Sequence, residues 1–191
     1  MNDPIIENGM AVVKAGLWLA SKGQPTAYRG SAVFRGLRGL FVPDRAAYAV
    51  VETNGEAHFA DRGRPFLAHV TCAAPITAVA AKVLVAPVGA RTGAELVRLV
   101  PLSLRGAVTT TTFGREWVVF ATESRTTRVT LGEDEVFTVQ AGAAVAWTTK
   151  RPVGYVPRLR LRDVFLPRKR QENLMMHFYG PGNVWFEGLK S

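Results

Sequence analysis

The chain has 191 residues and a mass of 20.8 kDa, with 48% hydrophobic and 20% charged residues. A chain of this length buries roughly 70% of the surface exposed by its unfolded form, which excludes disordered, collagen-like and disulfide-rich secreted classes. Twenty-four lysines and arginines, 18 of them arginine, oppose 15 acidic residues; the net charge of +9 excludes an acidic buffer-like protein and favours RNA or anionic lipid as partner.

In chain order, the opening MNDPIIENG has neither a cationic n-region nor an Arg-rich amphipathic character, so it reads as no signal or transit peptide. Residues 50–59 are rich in β-branched residues and are expected as strands. The longest apolar stretch, 73–90, is interrupted by Pro75, Lys82 and Pro87. A spanning helix needs about 20 mostly apolar residues, so two buried strands around a turn are the better reading. Residues 92–99 suit a short helix or a strand equally, and 108–120, 126–130, 136–139 and 174–186 read as antiparallel strands. Eighteen glycines and 11 prolines punctuate the chain as all-β domains require.

Three segments resemble one another: VVKAGLWLASKG (12–23), VAAKVLVAPVGA (79–90) and TVQAGAAVAWTTK (138–150). Aligning Ala15, Ala81 and Ala141 gives offsets of 66 and 60 residues. Each is followed by a strand, a glycine turn and a strand, at 50–61, 109–121 and 174–188. The expected fold is therefore all-β: one sandwich-like or double-stranded β-helix domain, 1–191, of three degenerate units at about 9–63, 76–124 and 129–188.

The last of these units, with Gly132–Glu133, Gly142, Ala146–Trp147, Gly180–Pro181–Gly182 and Val184–Trp185, resembles the altered-inheritance-of-mitochondria family of mitochondrial biogenesis proteins and their bacterial relatives. The match is good over 129–188 and weak over 9–63 and 76–124, where the paired-glycine turn has decayed to Asn54–Gly55 and Phe113–Gly114. The resemblance implies a fold similar to the tryptophan RNA-binding attenuation protein, a tendency to self-associate and a mitochondrial location, with bacterial cytoplasm as the alternative. It supplies no catalytic residues.

The candidate sites divide into structural and partner-binding groups. Gly180–Pro181–Gly182 lacks the following helix that a phosphate cradle needs, and Pro before Gly fits a type II turn. His69 and Cys72 are three apart, which places them on opposite faces of a strand, and no second close pair completes a metal site. A single cysteine excludes an internal disulfide and suits a reducing compartment. The acidic run Glu133–Asp134–Glu135 reads as a solvated turn, and no nucleophile elbow or cofactor loop is present, so neither enzymatic activity nor a cofactor is expected.

Positive charge stands out. Residues 151–170 carry a local +6, and within them Arg158, Arg160 and Arg162 alternate with Leu159 and Leu161, which projects the arginines to one face of a strand. Repeats on one face lie about 7 Å apart, close to the spacing of successive phosphates, and arginine offers a bidentate fork for them. Arg168, Lys169 and Arg170 extend this group, and Arg35 and Arg38, with Arg29, form a second in a predicted glycine-punctuated loop. The competing account is an edge strand whose charges block further pairing. Trp18, Trp117, Trp147 and Trp185 fall near equivalent places in the units and are expected as core or subunit-interface anchors. The functional expectation is a non-catalytic structural or assembly subunit docking on RNA, with a membrane-associated organiser facing anionic lipid as the alternative.

Overall fold

A computed structural model of the chain describes residues 3–20, 25–38, 48–71, 73–97, 108–114, 116–150, 152–155 and 174–188. It is all-β, and among the described residues there is no α-helix, hence none long and apolar enough to cross a membrane. Four antiparallel sheets account for the strands, and none closes into a barrel. Sheet A runs β1 (Ile5–Glu7), β2 (Met10–Val13), β7 (Glu56–Phe59), β4 (Ala27–Arg29). Sheet B runs β5 (Ala32–Arg38), β6 (Tyr48–Thr53), β3 (Gly16–Ala20), β10 (Val83–Pro87), β13 (Trp117–Thr122), β8 (Phe66–Thr71). Sheet C runs β11 (Arg91–Val97), β12 (Val108–Phe113), β9 (Ile76–Val79), β16 (Ala144–Trp147), β19 (Gly182–Glu187), β14 (Thr126–Leu131). Sheet D runs β15 (Val136–Gln140), β18 (Met175–Tyr179), β17 (Val153–Tyr155).

The pairing repeats every six strands. In 10–59, 66–122 and 126–187 alike, the fourth, fifth and second strands form one three-stranded piece, and the third, sixth and first form another. Sheet B is the first such piece of unit one joined to the second piece of unit two, through β3 and β10. Sheet C joins units two and three in the same way, through β9 and β16.

Burial explains which strands read as alternating and which as continuous apolar runs. Three buried clusters lie between sheets A and B, B and C, and C and D. Sheets B and C are thus covered on both faces, and β13 (WVVFAT) and β16 (AVAW) are buried at every residue. A strand covered on both faces needs apolar residues throughout. In β13, Trp117, Val119 and Ala121 enter the A/B cluster while Val118 and Phe120 enter the B/C cluster. Strand β2 has only one covered face, and its burial alternates. A register shift between Val83 and Val85 puts Leu84 and Val85 on the same side, and the shift between Ala144 and Ala146 does the same for Val145 and Ala146. Such bulges insert one extra residue and turn the strand's alternation over.

This frame corrects several expectations. The first self-similar segment is out of phase: Ala15 lies between the first and second strands of its unit, whereas Ala81 and Ala141 lie between the second and third. The equivalent residues are Ala20, Ala78 and Val139, 58 and 61 residues apart, each opposite its neighbour Ala49, Thr111 or Met176. The second unit accordingly opens at Phe66, ahead of residue 76. Residues 91–97 are a strand, and the glycine-punctuated segment YRGSAVFRGLRG contributes two strands, β4 and β5, rather than a loop. The four tryptophans are buried but not equivalent, since Trp18 lies on a second strand, Trp147 on a third, and Trp117 and Trp185 at different points of a sixth.

Candidate interaction surfaces

A buried ion pair ties units two and three together. Lys82, in the 3-10 turn between β9 and β10, is 7% exposed and pairs with Glu187 at the end of β19. Its Nζ also donates to the Gly142 carbonyl at 2.5 Å. The second carboxylate oxygen of Glu187 accepts the Glu123 backbone N–H at 2.8 Å. Desolvation lowers the Lys82 pKa from 10.5, and the bond and charge of Glu187 oppose that shift. This pair joins repeats rather than forming an open site. Its signal in the sequence is the lone cation inside an 18-residue apolar stretch, 73–90, where a charge needs a partner.

The two glycine turns of unit three meet. Glu135 closes the acidic turn by accepting the Gly132 N–H at 2.7 Å, and the Glu135 carbonyl accepts the Gly180 N–H at 3.0 Å. A Cβ at Gly180 would collide with the Gly132 carbonyl, so backbone packs on backbone there. The Gly180–Pro181 peptide is cis. Gly182 keeps the anticipated positive φ, at +147°, and a Cβ there would lie 2.9 Å from the Thr149 nitrogen. Glu133, Asp134 and Glu135 are exposed.

The histidines lie on three separate strands. His69 stands edge-on to Trp117 at 6.2 Å and shares a 3.2 Å hydrogen bond with Thr71. Desolvation lowers its pKa from 6.5, opposed by Asp3. Nδ1 of His177 lies 2.7 Å from the Thr138 hydroxyl. His58 lies half-buried on β7. Cys72 lies outside the described residues, and among those described no group of three or more His, Cys, Asp or Glu residues is placed to hold a metal. Trp18 and Trp117 pack at 5.4 Å. The Trp18 indole N–H is shared between the Lys14 carbonyl at 3.1 Å and the Thr53 hydroxyl at 3.2 Å. The Trp117 nitrogen is buried with no hydrogen-bond partner.

Of the candidate cations, Arg158, Arg160, Arg162, Arg168, Lys169 and Arg170 lie outside the described residues. Arg35 and Arg38 lie on β5, the outer strand of sheet B, and Arg29 is exposed on β4. The topology nevertheless gives the cationic segments a common address. The connections 39–47, 98–107 and 156–173 each join the fourth strand of a unit to its fifth. Their sequences carry net charges of 0, +2 and +4, two-thirds of the chain's +9.

Fold and pairing define an all-β, sandwich-like protein of three topologically equivalent units. The same architecture is seen in the crystal structure of a Streptococcus pyogenes protein, SPYM3_0169, with a TM-score of 0.70 over 98% of this chain and 92% of that one, at 13% identity. At that identity the likeness is one of fold alone. No protein-family model and no curated protein sequence matches the chain.

Proposed function

We propose that this chain is a non-catalytic structural or assembly subunit that docks arginine-rich segments on RNA within a ribonucleoprotein. The observation that carries this reading is the concentration of charge in connections that leave the three units at equivalent points. Two of the three equivalent connections, 98–107 and 156–173, carry the excess charge, and each phosphate contact they make releases condensed counterions. The resemblance to the altered-inheritance-of-mitochondria family makes a mitochondrial ribosome or similar particle the proposed host, with bacterial cytoplasm as the alternative location. A second reading, an organiser on anionic inner membrane, is favoured by the apolar pairs Phe41–Val42, Leu99–Val100 and Phe165–Leu166, each directly before a proline in the same connections.

The test is salt dependence. Binding to single-stranded RNA should weaken with a log–log slope of about −0.7 per contact, and replacing Arg158, Arg160 and Arg162 with Gln should reduce the slope's magnitude by about 2. Sequence preference should hardly change, because phosphate contacts carry none. Affinity for anionic vesicles without RNA affinity selects the membrane reading. A triple variant that binds both partners as the parent does overturns both.

A further inference from the structure

The internal joints of the molecule show what covers each inner edge of a unit, and among the described residues one edge of unit one and one of unit three lack such a joint. Between units one and two, β3 pairs with β10 in the register Ala20–Val85 and Leu19–Ala86. Between units two and three, β9 pairs with β16 in the register Ala78–Ala146 and Thr77–Trp147. The remaining second strand is β15 and the remaining third strand is β4, and each is the outermost strand of its sheet.

The equivalence holds at single residues. Along the units the paired positions of second and third strands are always seven apart: Ala20 and Ala27, Ala78 and Val85, Val139 and Ala146. Opposite them on the sixth strands stand His58, Val119 and Trp185. On the second strands the paired positions Ala20, Ala78 and Val139 are all buried; on the third strands burial differs in unit one. Tyr28 holds the place of Ala86 and Trp147; those two are buried, whereas Tyr28 is 58% exposed, as are its neighbours Ala27 and Arg29.

We infer that β4 of one copy pairs antiparallel with β15 of a second copy, in the register Ala27–Val139 and Tyr28–Thr138. The joint makes one seven-stranded sheet, β17-β18-β15-β4-β7-β2-β1, from sheets D and A of two chains. Continuing the register puts Arg29 opposite Phe137 and diagonal to Glu135, within reach of an opposite charge. The outer face of sheet A carries Glu56 and His58 where unit two has Trp117 and Val119. The joint therefore rests on backbone hydrogen bonds and Tyr28 rather than on burial of that face. Because the two edges differ, the association is head-to-tail and propagates into a ring or a filament.

Disulfide trapping on the full chain with Cys72→Ser reads the register. Tyr28→Cys chains mixed with Thr138→Cys chains should cross-link to each other on oxidation. A pairing of Arg29→Cys with Thr138→Cys, one residue out of register, should cross-link at least tenfold less. A chain carrying both Tyr28→Cys and Thr138→Cys should give a ladder of multimers. An internally bridged monomer would mean that the chain closes on itself, and would overturn the proposal. Light scattering of the parent at micromolar concentration should report multimers that fall to one chain mass in the Tyr28→Lys/Thr138→Lys variant, with circular dichroism unchanged. Tyr28→Lys alone, at an exposed position, should give the same loss of multimers and leaves the Thr138–His177 hydrogen bond intact. A monomeric parent, or multimers indifferent to the lysines, refutes it.

Discussion

Lys82 reaches from the connection between β9 and β10 to the carbonyl of Gly142, in the corresponding connection one unit later, and to the carboxylate of Glu187. A charge-assisted bond across a joint between repeats is a specific device, since removing one partner strands the other in a low-dielectric site.

Lys82→Met should therefore cost about 3–5 kcal/mol, the usual penalty for leaving one buried charge unpaired. Adding Glu187→Gln should recover most of the loss, because the neutral amide oxygen still accepts the Glu123 N–H. Urea midpoints of the two variants check this. The pH dependence follows from the direction of the shift. With the folded pKa of Lys82 below its unfolded value of 10.5, the unfolded chain binds more protons between the two values. The contribution of this group to stability therefore rises with pH across that window. The double variant should lose that slope.

At the turn between β18 and β19, Gly182→Val should destabilise the protein by about 1–3 kcal/mol, since a residue with a Cβ is strained at a positive φ and the added carbon meets Thr149. Thermal unfolding measures the loss. Folded protein should bind its partner as before, because the turn packs on Thr149 and Gly132 rather than offering an open loop. A variant of normal stability that loses one ligand would reverse this assignment.

Strand content was legible because Val, Thr, Phe and Trp in short runs between glycines carry their own β signal. The turns around Asn54–Gly55, Phe113–Gly114 and Gly180–Gly182 were readable for the same reason, but the two strands that each joins lie in different sheets, so none of the three is a hairpin. The phase of the repeat was not. Among the described residues β4 is an outer strand, exposed at every position, and Ala27–Arg29 lacks the apolar character of Val83–Pro87 and Ala144–Trp147. The bulges at Leu84–Val85 and Val145–Ala146 break the period-2 pattern as well. In unit one the segment that resembles 79–90 and 138–150 is therefore 12–23, which spans the end of β2 and β3. Lys82 and Glu187 are 105 positions apart, and sequence spacing says nothing about a contact made by sheet stacking. The arginine group was legible as charge, and its assignment to the connections between fourth and fifth strands needed the topology.

One aromatic position recurs in all three units and gives the sharpest test of the stack. Phe59, Phe120 and Phe186 sit opposite Ala11, Ala68 and Thr127 on the first strands of their units. Phe120 is fully buried between sheets B and C, Phe59 is 3% exposed between A and B, and Phe186 is half-buried against the cluster between C and D. Removing a ring from a site that cannot collapse costs about 3–5 kcal/mol. Phe120→Ala should reach the top of that range, because covered sheets on both sides hold the cavity open. Phe59→Ala should cost less, with a single sheet able to settle inward, and Phe186→Ala least, since part of its ring is already in water. Chemical denaturation of the three variants gives the order directly. Equal losses at all three positions would mean that the units bury their cores independently, and would contradict a stack in which sheets B and C are each shared by two units.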